Sequence, residues 1–183
     1  MSSNIPGHSA PAVGFEAPLE MLSACHYRIE RQCSTLRRLA QHLATAGNDL
    51  EARAAAASVM RYFDTAAVHH HADEEENLFP ALSESMAGSD AVCLREMIEG
   101  LAGDHRELES HWQRLRLRLE QVAAGDAMSL PPSDVEAFIG SYERHIERED
   151  QEILPMAARL LSDDVLEEIG RAMRERRGIG PVE

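Results

Sequence analysis

The residues best equipped for chemistry occur twice. His70 stands four positions before Glu74, and His145 stands four positions before Glu149. Each pair is followed by an apolar dipeptide and a proline, Leu78-Phe79-Pro80 in the first copy and Ile153-Leu154-Pro155 in the second. On a helix, residues four apart share one face, so each copy presents an imidazole and a carboxylate side by side. Two such faces brought together would offer two imidazoles and two carboxylates to a pair of metal ions. Imidazole suits iron, zinc, copper and manganese, and bridging carboxylates favour a hard or borderline pair such as two irons. A structural zinc site would call for thiolates at close spacing, but Cys25, Cys33 and Cys93 form no such motif.

Four segments carry apolar residues at alternating three- and four-residue steps, the period of a helix with one buried stripe. The first, from about Pro18 to Ala46, places Leu19, Leu22, His26, Ile29, Cys33, Leu36, Ala40 and Leu43 on its stripe, and Gly47-Asn48-Asp49 ends it and caps the next. The second runs through Ala56, Met60, Phe63, Ala67, His70 and Glu74, with Pro80 as an end or a kink. Leu94, Ile98, Leu101, His105, Leu108, Trp112, Leu115 and Leu119 mark the third. Gly125 and Pro131-Pro132 break the chain before the fourth, for which Ser133 and Glu136 spell a capping box. That stripe is Val135, Phe138, Tyr142, His145, Glu149, Ile153 and Met156. A shorter amphipathic piece, roughly Ser162 to Arg176, completes the chain. Short connections between four such helices predict an all-α, up-down-up-down four-helix bundle with a short fifth helix. The expected division is a tail over 1–17, the bundle over 18–160 and an accessory helix and tail over 161–183.

Each stripe is interrupted by one histidine, and two also carry a glutamate. A lone histidine on a buried stripe is ordinarily a hydrogen-bonded core residue. Six ionisable groups facing one core would carry a large desolvation cost unless satisfied together, and metal coordination does so most simply. Glu-x-x-His, the signature of ferritin-like di-iron bundles, is absent. His69 and His71 lie about 100° off the face of His70 and are expected at the surface. So are three members of the run Asp73-Glu74-Glu75-Glu76. Tyr142, one turn before His145, is the phenol nearest the expected ligands and a candidate hydrogen-bond donor to a metal-bound species.

Together, His26, His70-x-x-x-Glu74, His105 and His145-x-x-x-Glu149 resemble the hemerythrin-like family of the HHE cation-binding type, over about residues 18–160. The resemblance implies a non-haem centre of two iron ions, oxo- or hydroxo-bridged. His26, His70, His105 and His145 would be terminal ligands, and Glu74 and Glu149 would bridge. Oxygen-carrying hemerythrins have a fifth histidine one turn after the third-helix ligand, where this chain has Glu109, and an aspartate at the place of Asp150. Helical phase favours Glu149, about 40° from His145, over Asp150, about 140° away. With four histidine bonds and four from bridging glutamates, two six-coordinate irons would keep roughly one open position each once bridged.

These features predict a protein that binds oxygen or a related small ligand for sensing, protection or iron handling, more a metal- and ligand-binding protein than a dedicated enzyme. The alternatives are an oxidoreductase acting on peroxide or nitric oxide, and a structural or partner-binding bundle. The chain has 183 residues and a net charge of −14, which disfavours nucleic acid and anionic membrane as partners. An odd number of cysteines and no signal-peptide pattern point to the cytoplasm. An apolar strip on the fifth helix would permit a homodimer.

Overall fold

The computed structural model describes residues 14–86 and 90–180, so most of the expected 1–17 tail lies outside the described residues. Four long helical rods form a ring of neighbours. The first is α1 (Pro18–Thr45) and the second begins as α2 (Leu50–Asp73). The third is α4 (Asp90–Ala124), and the fourth begins as α5 (Pro132–Arg148). Helix α1 packs on α2, α2 on α4, α4 on α5 and α5 back on α1, which is the up-down-up-down bundle. No strand occurs among the described residues, and no helix there is long and apolar enough to cross a membrane.

Local chemistry sets the ends of the rods. Gly47 and Gly125 follow α1 and α4 with φ of 84° and 89°, the left-handed backbone that glycine adopts without strain. Asp49 caps α2 by accepting from the Ala52 amide at 2.9 Å. Asn48 ties this end together by donating to the carbonyls of Val122 (2.9 Å) and Ala127 (2.7 Å). The capping box expected of Ser133 and Glu136 does not form. Helix α5 starts two residues earlier, at Pro132, so Pro131 stands at the cap and Glu136 instead accepts from Arg37. Proline's fixed φ suits the first helical position, and this outweighs the serine cap.

Neither Pro80 nor Pro155 ends its rod. In both, one wide turn bridges from the long helix to a short one. The π turn Glu74–Leu78 leads to α3 (Phe79–Ser85), and the π turn Glu149–Ile153 leads to α6 (Leu154–Leu160). The amide of Phe79 reaches back to the Glu74 carbonyl, and that of Leu154 to the Glu149 carbonyl, five residues in each case. A proline inside a helix removes one backbone bond and crowds the preceding turn, and an inserted π turn relieves that crowding. Both carboxylates singled out in the sequence therefore open a π turn.

The interior is two apolar clusters with a polar layer between them. Phe63, Leu108, Trp112, Phe138 and Tyr142 belong to one cluster. Leu22, Leu78, Leu101 and Ile153 belong to the other. The last helix, α7 (Asp163–Arg176), is capped by Ser162 and packs on α1 and α2. Its apolar strip faces the bundle. Ile169 and Met173 are buried in the second cluster, and Val165 and Leu166 pack against it. Segment 14–17 crosses α7 at Gly170 so closely that a Cβ there would sit 1.9 Å from the Phe15 carbonyl oxygen.

Candidate metal centre

All six residues expected at the site meet in the polar layer, and each is at most 4% exposed. They form two sets of four donors, His26, His70, Glu74 and Glu149 on one side, and Glu74, His105, His145 and Glu149 on the other. Within each set the donor atoms lie within 4.8 Å of one another. The two carboxylates are common to both sets. Glu74 Oε1 is 3.2 Å from His70 Nε2 and 3.8 Å from His26 Nε2, while its Oε2 is 3.4 Å from His105 Nε2. Glu149 Oε2 is 3.1 Å from His26 Nε2 and 3.3 Å from His145 Nε2. His105 Nε2 and His145 Nε2 are 3.0 Å apart. Each carboxylate thus spans from one imidazole group to the other, as a carboxylate shared by two cations must.

Buried donors without partners are rare in folded proteins, and here they concentrate at this centre. His26 Nε2, His70 Nε2, Glu74 Oε2 and both carboxylate oxygens of Glu149 lack a hydrogen-bond partner. The protonation pattern shows what sign of charge the layer lacks. Burial lowers the His70 and His145 imidazoles to about 3, leaving them neutral with lone pairs available. Burial also opposes charge on His26 and His105, but the hydrogen bonds they donate to neighbouring carboxylates outweigh it and raise them to about 12 and about 9. Glu149, desolvated and facing the Glu74 charge, is pushed up to about 8. The carboxylates gather protons around themselves, and cations supply the same positive charge. The donor set fits a pair of metal ions.

The sequence matches the family model "Hemerythrin HHE cation binding domain" over residues 17–157. The chain belongs to the hemerythrin HHE cation-binding family. It is also similar to an uncharacterized protein of Haemophilus influenzae, 33% identical over 168 residues that cover 88% of this chain and 91% of the relative.

Around the centre of this HHE domain, three imidazoles are backed by carboxylates at the ring nitrogen facing away from the shared space. His26 Nδ1 lies 2.7 Å from Asp150 Oδ1, and His105 Nδ1 lies 2.5 Å from Glu75 Oε1. Behind His145, Asp104 Oδ2 stands at 3.7 Å, held by Arg148 at 2.6 Å. The hydrogen-bonded partners of His26 and His105 are of the kind that fix the tautomer and orientation of a ligating histidine, whereas Asp104 stands too far from His145 Nδ1 for a hydrogen bond. Asp150, the alternate to Glu149 in the sequence, therefore turns to His26 from outside the donor sets. Glu109 does not reach them either. It is exposed and accepts from Gln113 at 2.5 Å.

Two expectations about the flanks of His70 are overturned. His71 is not a surface residue. Its ring stacks on His105 with centroids 4.1 Å apart and planes 14° from parallel, and it forms a third donor group with His105 and His145. The Tyr142 hydroxyl lies 3.5 Å from His71 Nε2, so the phenol addresses His71. Asp73 is not solvated either. It is fully buried beneath Arg176 and Arg177 of the C-terminal segment. Stripe periodicity identifies one face of α2, but α4 and α7 cover its two flanks, and the stripe carries no mark of that. The basic residues at the end of the chain were the available clue to Asp73.

Proposed function

We propose that the protein holds two iron ions between His26, His70, His105 and His145, with Glu74 and Glu149 shared, and binds oxygen or a related small ligand there for sensing, protection or iron handling. The observation that carries this reading is the pair of four-donor sets with two carboxylates in common. Iron is favoured by a donor set of imidazoles and bridging carboxylates without thiolate. When bound, such a pair supplies open coordination positions and one-electron redox chemistry.

The chain's own residues do the rest. Asp150 and Glu75 orient the imidazoles of His26 and His105. Phe63, Phe138 and Tyr142 on one side and Leu22, Leu101 and Ile153 on the other keep bulk water from the layer. Burial holds the Tyr142 phenol well above its ordinary range, so it stays protonated and can donate toward His71. A cytoplasmic setting is supported by three free cysteines, two buried and one exposed. The net charge of −14 supports small molecules, not nucleic acid or membrane, as the ligands.

Titration of the iron-loaded ferric protein with azide, a small anion that probes open positions, tests the reading. A saturable change in the visible spectrum at one azide per two irons is the expected result. Absence of any response, or loading with zinc in preference to iron, would contradict it. Sustained consumption of peroxide or nitric oxide over many turnovers would make the protein an oxidoreductase instead.

A further inference from the structure

The geometry points to Arg176 as a positioning residue for Glu74, through a strap that makes the C-terminal helix part of the centre. Glu74 opens the π turn Glu74–Leu78, the wide and locally weaker stretch of its rod. One guanidinium spans that turn from outside. Arg176 Nη1 donates to Asp73 Oδ1, and Arg176 Nη2 donates to Glu76 Oε2 at 2.7 Å and to Asn77 Oδ1 at 2.9 Å. The residues gripped lie immediately before Glu74 and two and three positions after it. Arg177 reinforces the first point, with Nη2 2.6 Å and Nη1 3.2 Å from the Asp73 carboxylate. Phe15 lies against Arg177 at 5.6 Å, and Arg177 Nη1 also donates to the Met173 carbonyl at 2.7 Å. The strap is therefore anchored in the described fold at both ends.

The matching turn in the second half shares one tie, since Asp150 pairs with His26 Nδ1 as Glu75 pairs with His105 Nδ1, but among the described residues no guanidinium spans it. The strap thus acts on one of two otherwise equivalent carboxylates. A guanidinium presents five donors in a rigid planar fork, which suits three acceptors around a bulge, whereas an ammonium is a point charge on a flexible stem. Glu74 is the carboxylate whose two oxygens reach opposite donor sets. Its shift by a fraction of an ångström would weaken both sets, and fixing its turn is what the strap does.

This inference rests on the metal-centre reading, and its test separates the two. Arg176→Ala removes the ties to Glu76 and Asn77 while Arg177 keeps Asp73 paired. In the metal-free protein, hydrogen exchange at the Phe79 amide, which closes the first π turn, should rise about tenfold, and exchange at Leu154, which closes the second, should not change. In the cobalt-loaded protein the visible bands should shift and cobalt affinity should fall about tenfold. Arg176→Lys should restore the affinity only partly, and Arg171→Ala, on an exposed face of α7, should change neither readout. The double variant Glu76→Ala/Asn77→Ala removes the same contacts from the turn and spares the buried Asp73 pair, so it should shift the same cobalt bands. Wild-type exchange at Phe79 and a wild-type cobalt spectrum in Arg176→Ala, or in the double variant if Arg176→Ala does not fold, would overturn the strap alone. A wild-type protein that binds no cobalt would overturn the metal centre and the strap with it.

Discussion

Replacing Asp150 by alanine removes the acceptor behind His26 and leaves both four-donor sets whole. The pair it breaks is short, 2.7 Å from Asp150 Oδ1 to His26 Nδ1, but the Asp150 side chain is 43% exposed. Losing a carboxylate behind a ligating imidazole costs ~10–100-fold in metal affinity. Solvent screening of this half-open pair places the effect at the lower end, about tenfold or ~1.4 kcal/mol. Glu149→Gln is the contrasting change. Glu149 is 1% exposed, lies in both donor sets and faces imidazoles of each. Without its charge the two sets lose their common anion, and at most one ion per chain should survive desalting. Competition of each variant against a chelating dye, followed by metal analysis, gives affinity and stoichiometry together. Asp150→Ala should keep two ions with about tenfold weaker binding. Loss of an ion from Asp150→Ala, with both retained by Glu149→Gln, would refute the assignment of the two carboxylates.

Three further outcomes are expected. In the metal-free protein His26, His105 and Glu149, raised to about 12, 9 and 8, all carry a proton at pH 7. Ligation requires them deprotonated, so loading should release one to three protons, and affinity should rise at least about tenfold per unit between pH 6 and 8. Affinity that does not change with pH across that window, measured by calorimetry in two buffers, would contradict the pattern. His71→Ala should keep two ions per chain, because the ring stacks on His105, and should change azide affinity by about tenfold; loss of one ion would make His71 a ligand. Phe138→Ala should cost about 3–5 kcal/mol and lower Tm by roughly 6–20 °C, since Phe138 is fully buried against Phe63 and Tyr142.

The four rods were legible because each keeps a single apolar stripe over many turns, and His26, His70, His105 and His145 were conspicuous as polar residues on those stripes. Asp49 was legible as a cap because its side chain acts on an amide three residues away. The π turns were not. Sequence marks the prolines at 80 and 155, but not whether the chain answers with a break, a kink or a shifted backbone bond. His71 was missed for a related reason. Its offset of about 100° from His70 excludes one face, yet a helix between two neighbours is covered on its flanks as well. Asp73 sits in a run of four acids that reads as solvated, and only the fold of α7 back onto α2 brings Arg176 and Arg177 to it. Contacts between distant segments leave no periodic trace.

Iron content of the purified protein, expressed in iron-replete medium and measured per folded chain alongside the ferric optical spectrum, tests the central claim most directly. Two irons per chain with near-ultraviolet charge-transfer absorption, and at most one iron retained in Glu149→Gln or Glu74→Gln, is the predicted result. One iron per chain, zinc in place of iron, or a full complement of iron after either substitution would contradict a centre built on two shared carboxylates.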